Sequence, residues 1–230
     1  MNTYKYINGN WMKNGMYKNT NITNLPGLES IYHDILADID INSKRADLLS
    51  SLDMNPSLNY LITSKAGMGK TSLIRAICTA IKTDIHIIDH DAMNTGRIEN
   101  IFNVDTTVFL FEDLDRYLMN AKKEHITNLL NILDGVEIMP MSIRIFTSSE
   151  RIQEETFLTH MRRCIVLNTH SVEAYKRSIS LIFPHMYDDD IDNLVDIFSS
   201  NNISIRVVNQ LLCSALVHND PIKYIENTLE

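Results

Sequence analysis

An apolar run at 59–63 breaks into Ser64-Lys65-Ala66-Gly67-Met68-Gly69-Lys70-Thr71 and then into a stretch of helical period at 71–82. Few folds accept a buried strand, a glycine-rich turn and a helix in that order, because the turn must gather backbone N–H groups at a helix N-terminus. Gly67 and Gly69 let the backbone aim those groups at phosphate, Lys70 can reach terminal phosphates, and Thr71 suits a magnesium ligand. Ala66, Gly67, Met68, Gly69, Lys70, Thr71 and Ser72 are therefore the candidate nucleotide-binding residues, with ATP and Mg2+ the expected ligands. The usual form of this pattern begins with glycine, so the loop here has to tolerate the Cβ of Ser64.

Roughly 40 residues later the buried run Val108-Phe109-Leu110-Phe111 ends in Glu112-Asp113. Two carboxylates closing an apolar strand are expensive unless they face a ligand, and in an open α/β sheet ligands sit beyond the carboxyl ends of the strands. One of the two can hold magnesium and the other can orient the attacking water; Glu112 is assigned to the metal and Asp113 to the water, with the exchanged assignment left open. Further strands are expected at 85–89, 143–147 and 164–167, each too uniformly apolar for one wet face, which makes a five-stranded parallel sheet covered by helices. Helices are expected at 71–82, 95–102, 123–133 and 154–160, with Asp134-Gly135 stopping the third. From 171 onward only helical patterns recur, at 171–183, 188–199, 204–217 and 221–229, with Ser171, Ser204 and Asp220 as N-caps. Asp188 to Asp190 read as an acidic helix start. The expected organisation is an N-terminal extension (1–25), a nucleotide-binding α/β domain (26–169) and a small helical lid domain (170–230).

A chain of 230 residues with 44% hydrophobic side chains is long enough for such a core, and its formal net charge of -8 argues against non-specific binding to a nucleic-acid backbone. Cys78, Cys164 and Cys213 show no paired spacing, so neither a disulfide framework nor a zinc site is expected. A soluble protein of a reducing compartment, most simply the cytoplasm, is the expectation. No run approaches the ~20 apolar residues of a membrane helix. His86 and His90 lie on and just past a strand, where a spacing of four does not converge on a metal. Arg206 reads as a surface arginine of the third tail helix, although it could touch phosphate from the helical domain. Trp11 with Tyr4, Tyr6 and Tyr17 reads as a packed N-terminal strand or an interface.

Taken together, these motifs resemble the AAA+ ATPases, and within them the mitochondrial AAA chaperones that translocate the Rieske iron-sulfur protein. The resemblance is carried by Phe111-Glu112-Asp113-Leu114-Asp115 with its reversed acidic pair, by Asn128-Leu129-Leu130-Asn131-Ile132-Leu133-Asp134-Gly135-Val136, and by Asn219-Asp220-Pro221 followed by Ile225-Glu226-Asn227. Tyr4 through Trp11 is similar to the segment preceding that family's ATPase domain. The likeness covers most of the chain but only the ATPase part of that family. It implies a ring of identical chains that turns over ATP to remodel or translocate a protein substrate, each nucleotide lying between one copy's phosphate loop and the next copy's arginine. Arg163 matches the second arginine of the family's Arg-Pro-Gly-Arg run, and the first is lost or displaced to Arg162. Ser149 stands where the family has asparagine, between the acidic pair and the terminal phosphate. The segment from His90 to Gly96 occupies the place of a loop facing the central pore, with Met93 as its apolar tip.

Two other classes compete. Arg163-Cys164 also resembles the arginine motif of clamp loaders, which would make the chain a DNA-replication ATPase; the acidic balance and the lack of sequence for a collar domain weigh against it. Ser64, the reversed Glu112-Asp113 order and Ser149 together would also suit a nucleotide-binding scaffold that does not hydrolyse.

Overall fold

The computed structural model describes residues 1–25, 27–52, 54–94, 101–102, 107–134, 141–167 and 171–229. The chain starts with a hairpin, β1 (Asn2–Ile7) and β2 (Asn10–Met16), turned at Asn8-Gly9. Both turn residues have positive φ, 51° and 85°, as a two-residue hairpin of this hand requires. A long helix follows, α1 (Glu29–Ser51), then β3 (Leu58–Thr63), α2 (Lys70–Ala80), β4 (Ile85–Ile88) and the single turn α3 (His90–Met93). The sheet is completed by β5 (Val108–Phe111), β6 (Ile143–Ser148) and β7 (Arg163–Val166). Between them lie α4 (Leu114–Asn120), α5 (Lys123–Asp134) and α6 (Glu155–Leu158).

The strands run in the order β2-β1-β4-β5-β6-β3-β7. All five expected strands are present and mutually parallel, and β1 adds to the outer side of β4 in parallel, with Tyr4 opposite His86 and Lys5 opposite Ile87. Only β2 runs antiparallel to its neighbour, so the aromatic N-terminus is a hairpin widening the sheet to seven strands among the described residues. Stacking of Tyr4 on His86, ring centroids 4.7 Å apart, and donation from Trp11 Nε1 to the Ile101 carbonyl at 3.1 Å fix it there.

Every residue of β3, β5 and β6 is buried, which explains why apolar side chains predominate in them without alternation: each face of the sheet carries its own core. Phe109, Phe111 and Phe146 point into one, with Leu129 and Phe157. Tyr60, Ile62, Leu110 and Ile145 point into the other, with Ile35, Leu73 and Ile77. The charged member of β6, Arg144, is fully buried yet satisfied, donating to Ser142 Oγ and the Ile132 carbonyl while its guanidinium lies 4.9 Å from the Phe102 ring centroid.

The tail forms α7 (Val172–Ile182), α8 (Asp188–Ser200), α9 (Ile205–Ala215) and α10 (Pro221–Leu229), packed around a third core of Tyr175, Leu194, Phe198, Val208, Leu212 and Ile225. Ser171, Ser204 and Asp220 cap α7, α9 and α10 as their positions imply. One expectation needs correction and one element was missed. Met93 is fully buried in the sheet core and cannot be an exposed loop tip. The long α1 was not expected at all. Gly96, Gly135, Val136 and residues 95–100 of the expected 95–102 helix lie outside the described residues.

Candidate functional site

Strand β3 lies between β6 and β7, so the sheet order turns back on itself around it and leaves a crevice beyond its carboxyl end. The 64–70 loop leaves β3 at that point. Gly67 and Gly69 adopt φ of 85° and 94°, left-handed conformations that a side chain would strain, and Gly69 caps α2. Ser64 is absent from the left-handed residues, so its Cβ costs no backbone strain. Its hydroxyl is put to use: Lys70 Nζ donates to Ser64 Oγ at 3.2 Å and closely to the Ser64 carbonyl. Burial lowers the pKa of the Lys70 ammonium, against the pull of the Asp113 and Asp115 carboxylates.

A cavity of about 690 Å³ opens over this loop, within the size range of nucleotide pockets. Lys65 to Ser72 form its floor, so each expected binding residue from Ala66 to Ser72 lines it. Glu112 and Asp113 line it from the end of β5, and Thr147 and Ser149 from the end of β6. Glu112 is half-buried, and burial, reinforced by Asp113 and Asp89 and opposed by Lys5, raises its carboxyl pKa. Lys5 Nζ pairs with Asp89 Oδ2 at 2.9 Å, so the added β1 strand brings a cation behind the acidic pair. Asp113 begins α4 with φ 56° and ψ 50° and lies 3.6 Å from Arg116 Nη1.

The roof comes from elsewhere in the chain. Asn24, Leu25 and Leu28 precede α1; Ala174, Arg177, Ser178 and Leu181 come from α7; Ile205, Arg206 and Asn209 come from α9. Arg206, which sequence reasoning left on the surface, therefore reaches the site. Arg177 Nη2 donates to Asn24 Oδ1 at 3.0 Å, tying α7 to the segment before α1. Gly67 sits so close to the α9 N-cap that a Cβ would fall 2.7 Å from Ser204 Oγ. Arg162 and Arg163 are not in this cavity. They sit at the start of edge strand β7, paired with Asp38 and Asp34 of α1.

Among the described residues no three His, Cys, Asp or Glu side chains cluster to hold a metal by themselves. Thr71 and Glu112 both line the cavity, and a hydroxyl and a carboxylate are oxygen donors of the kind that magnesium takes. No helix among the described residues is long and apolar enough to cross a membrane.

The model of the "ATPase family associated with various cellular activities (AAA)" matches residues 60–180, from the middle of β3 into α7. A Dictyostelium discoideum protein named as a mitochondrial chaperone, BCS1-A, is 27% identical over 224 residues, 85% of this chain and 51% of its own length. Another from the same organism, named as a ribosome biogenesis ATPase, nvl, is 30% identical over 87 residues, 38% of this chain and 10% of its own. The chain thus spans about half of the first relative and a small part of the second.

Proposed function

The chain belongs to the AAA family of ATPases, and from that premise we propose that it binds ATP in the cavity over the 64–70 loop, hydrolyses it, and couples turnover to protein remodelling or translocation as a ring of identical copies. The observation that carries the proposal is convergence: Lys70 and Thr71 from one segment, Glu112 and Asp113 from a second, and Arg206 from the helical tail line one pocket. Backbone N–H groups of the loop and Lys70 hold the phosphates. A magnesium ion, when bound through Thr71 and Glu112, neutralises charge on the phosphoryl oxygens. Asp113 orients water for in-line attack, Ser149 hydrogen-bonds between the acidic pair and the terminal phosphate, and Arg206 steadies the phosphates from the tail.

Arg163, with Arg162 beside it, lies outside its own chain's pocket and acts on the nucleotide of the adjoining copy. Residues 1–25 form an extension, 26–169 the nucleotide domain and 170–230 a helical lid; the self-contained tail core supports that division. Likeness to BCS1-A favours a protein substrate, in the manner of the Rieske-protein translocases, over the nucleic acid of a clamp loader. The acidic balance agrees.

Phosphate release measured against protein concentration tests the proposal. Specific activity should rise with concentration as copies assemble, and both Lys70→Ala and Arg163→Ala should abolish it. Only Lys70→Ala should also weaken ATP binding strongly. Concentration-independent turnover that survives Arg163→Ala would refute the shared site, and ATP binding with no turnover at any concentration would refute hydrolysis.

A further inference from the structure

Arg162 and Arg163 converge on one carboxylate of α1. Arg162 Nη2 donates to Asp38 Oδ1 at 3.1 Å, Arg163 Nε donates to Asp38 Oδ2 at 2.5 Å, and Arg163 Nη1 reaches Asp34 Oδ2 at 3.4 Å. The burial is lopsided: the Asp38 side chain is 5% exposed, against 58% for Arg162 and 39% for Arg163. Burial alone would raise the Asp38 carboxyl, but the hydrogen bonds from Arg163 and Arg162 outweigh it and hold the group below the usual aspartate range. A buried anion with one guanidinium on each oxygen fixes two long, rotamer-rich side chains while leaving much of each in solvent.

That is more than adhesion between α1 and β7 needs. A well-packed apolar residue at position 38 would join the two elements at least as firmly, since desolvating a carboxylate offsets most of what its ion pairs contribute. The surface beside the cluster also suits an adjoining copy. Asp34, Ile41 and Leu48 recur seven residues apart on one face of α1, and the two apolar members are exposed.

Resting on the reading that Arg163 acts on a neighbour's nucleotide, we infer that Asp38 is a positioning residue for that reaction: with Asp34, it sets the orientation in which Arg163 and Arg162 are presented to the adjoining copy. Pre-orientation matters because a misplaced charge at the transferring phosphate forfeits much of its effect, about 100-fold for a displacement near 1 Å. Asp38 does not line the cavity of its own chain, so it affects what a copy donates and not what it accepts.

Mixing variants separates these roles. Lys70→Ala leaves a chain that cannot use its own pocket but still donates arginines; Arg163→Ala leaves one that accepts but cannot donate. Asp38→Asn should behave like Arg163→Ala, with ATP affinity unchanged and turnover alone down about 100-fold. An equimolar mixture of Asp38→Asn with Lys70→Ala should recover turnover at least about 10-fold over either variant alone, and Asp38→Asn with Arg163→Ala should not. Activity in the latter mixture overturns the inference, because Asp38→Asn would then be a competent donor. Failure of the former also overturns it, since Asp38 would then serve its own pocket or the fold. If Arg163→Ala with Lys70→Ala stays inactive while each binds as expected, the shared-site reading itself falls, and the inference with it.

Discussion

Asn8, Lys82, Asp113 and Asn202 are the non-glycine residues with left-handed backbone among those described, and of these only Asp113 lines the cavity. The conformation costs about 1–2 kcal/mol for an ordinary side chain, less for aspartate or asparagine, and it recurs where a fold must aim a functional group. Here it turns the chain sharply from β5 into α4, so that consecutive carboxylates occupy different surroundings. Both are half-buried, but Glu112 is the one with the raised pKa, close to Asp89 and Lys5, whereas Asp113 lies beside Arg116. Asparagine accepts the same backbone, so Asp113→Asn changes the chemistry and little else. Turnover should fall about 100-fold or more, with ATP affinity by calorimetry unchanged. Turnover close to that of the unaltered chain would exchange the two roles, giving water activation to Glu112.

Contact between the phosphate loop and the start of α9 couples nucleotide site to helical tail at the scale of elements. Gly67 needs both its left-handed φ of 85° and the bare space before Ser204 Oγ. Gly67→Ala strains the loop by about 1–2 kcal/mol and also pushes α9, and Arg206 with it, off the pocket. It should weaken ATP binding and turnover together, whereas Gly67→Ala with Ser204→Gly should regain part of the affinity by removing the clash but not the strain; equal affinities of the two would show that α9 does not seat on the loop. What the sequence revealed of these elements follows the same physics. The strands β3, β5 and β6 were legible because burial on both faces makes apolar side chains predominate without alternation, and α7 to α10 because each carries a strong helical period, three of them behind a capping residue. Helix α1 was not legible: only Ile35, Asp38 and Ile39 are buried along its 23 residues, so polar positions interrupt any stripe. Its buried aspartate was illegible for the same reason, since nothing local ties Asp38 to arginines at the far edge of the sheet. The β1–β2 hairpin did carry a signal, Asn8-Gly9 between aromatic runs, but most of β2 is exposed and it lacks a buried alternation. Within the site, the loop and the acidic pair are contiguous motifs; Arg206 and Arg177 reach it only through tertiary packing, which leaves no mark in local sequence.

For the molecule as a whole, the sheet carries two cores and the tail a third, and the apolar cluster of α7 to α10 shares no member with either of the others. The cavity lies where the two bodies meet, lined from both sides. On the proposed reading a nucleotide there would touch the sheet domain through Lys70 and the tail through Arg206, and its binding free energy would then be available only while both are folded and in contact. At 100 times the dissociation constant, a non-hydrolysable ATP analogue with magnesium should add about 2.7 kcal/mol. For a chain of this size that corresponds to about 5–10 °C in the thermal midpoint. Two probes watch the two bodies. Trp11 is the single tryptophan and reports on the β1–β2–β4 edge, whereas a fluorescent label on the exposed Cys213 of α9, in a Cys164→Ser background, reports on the helical tail. If the ligand bridges both, the midpoints from Trp11 and from the Cys213 label should rise together, and neither should move in Lys70→Ala. A shift in Trp11 fluorescence alone would confine the ligand to the sheet domain, and Arg206, though it lines the pocket, would have no part in holding the nucleotide.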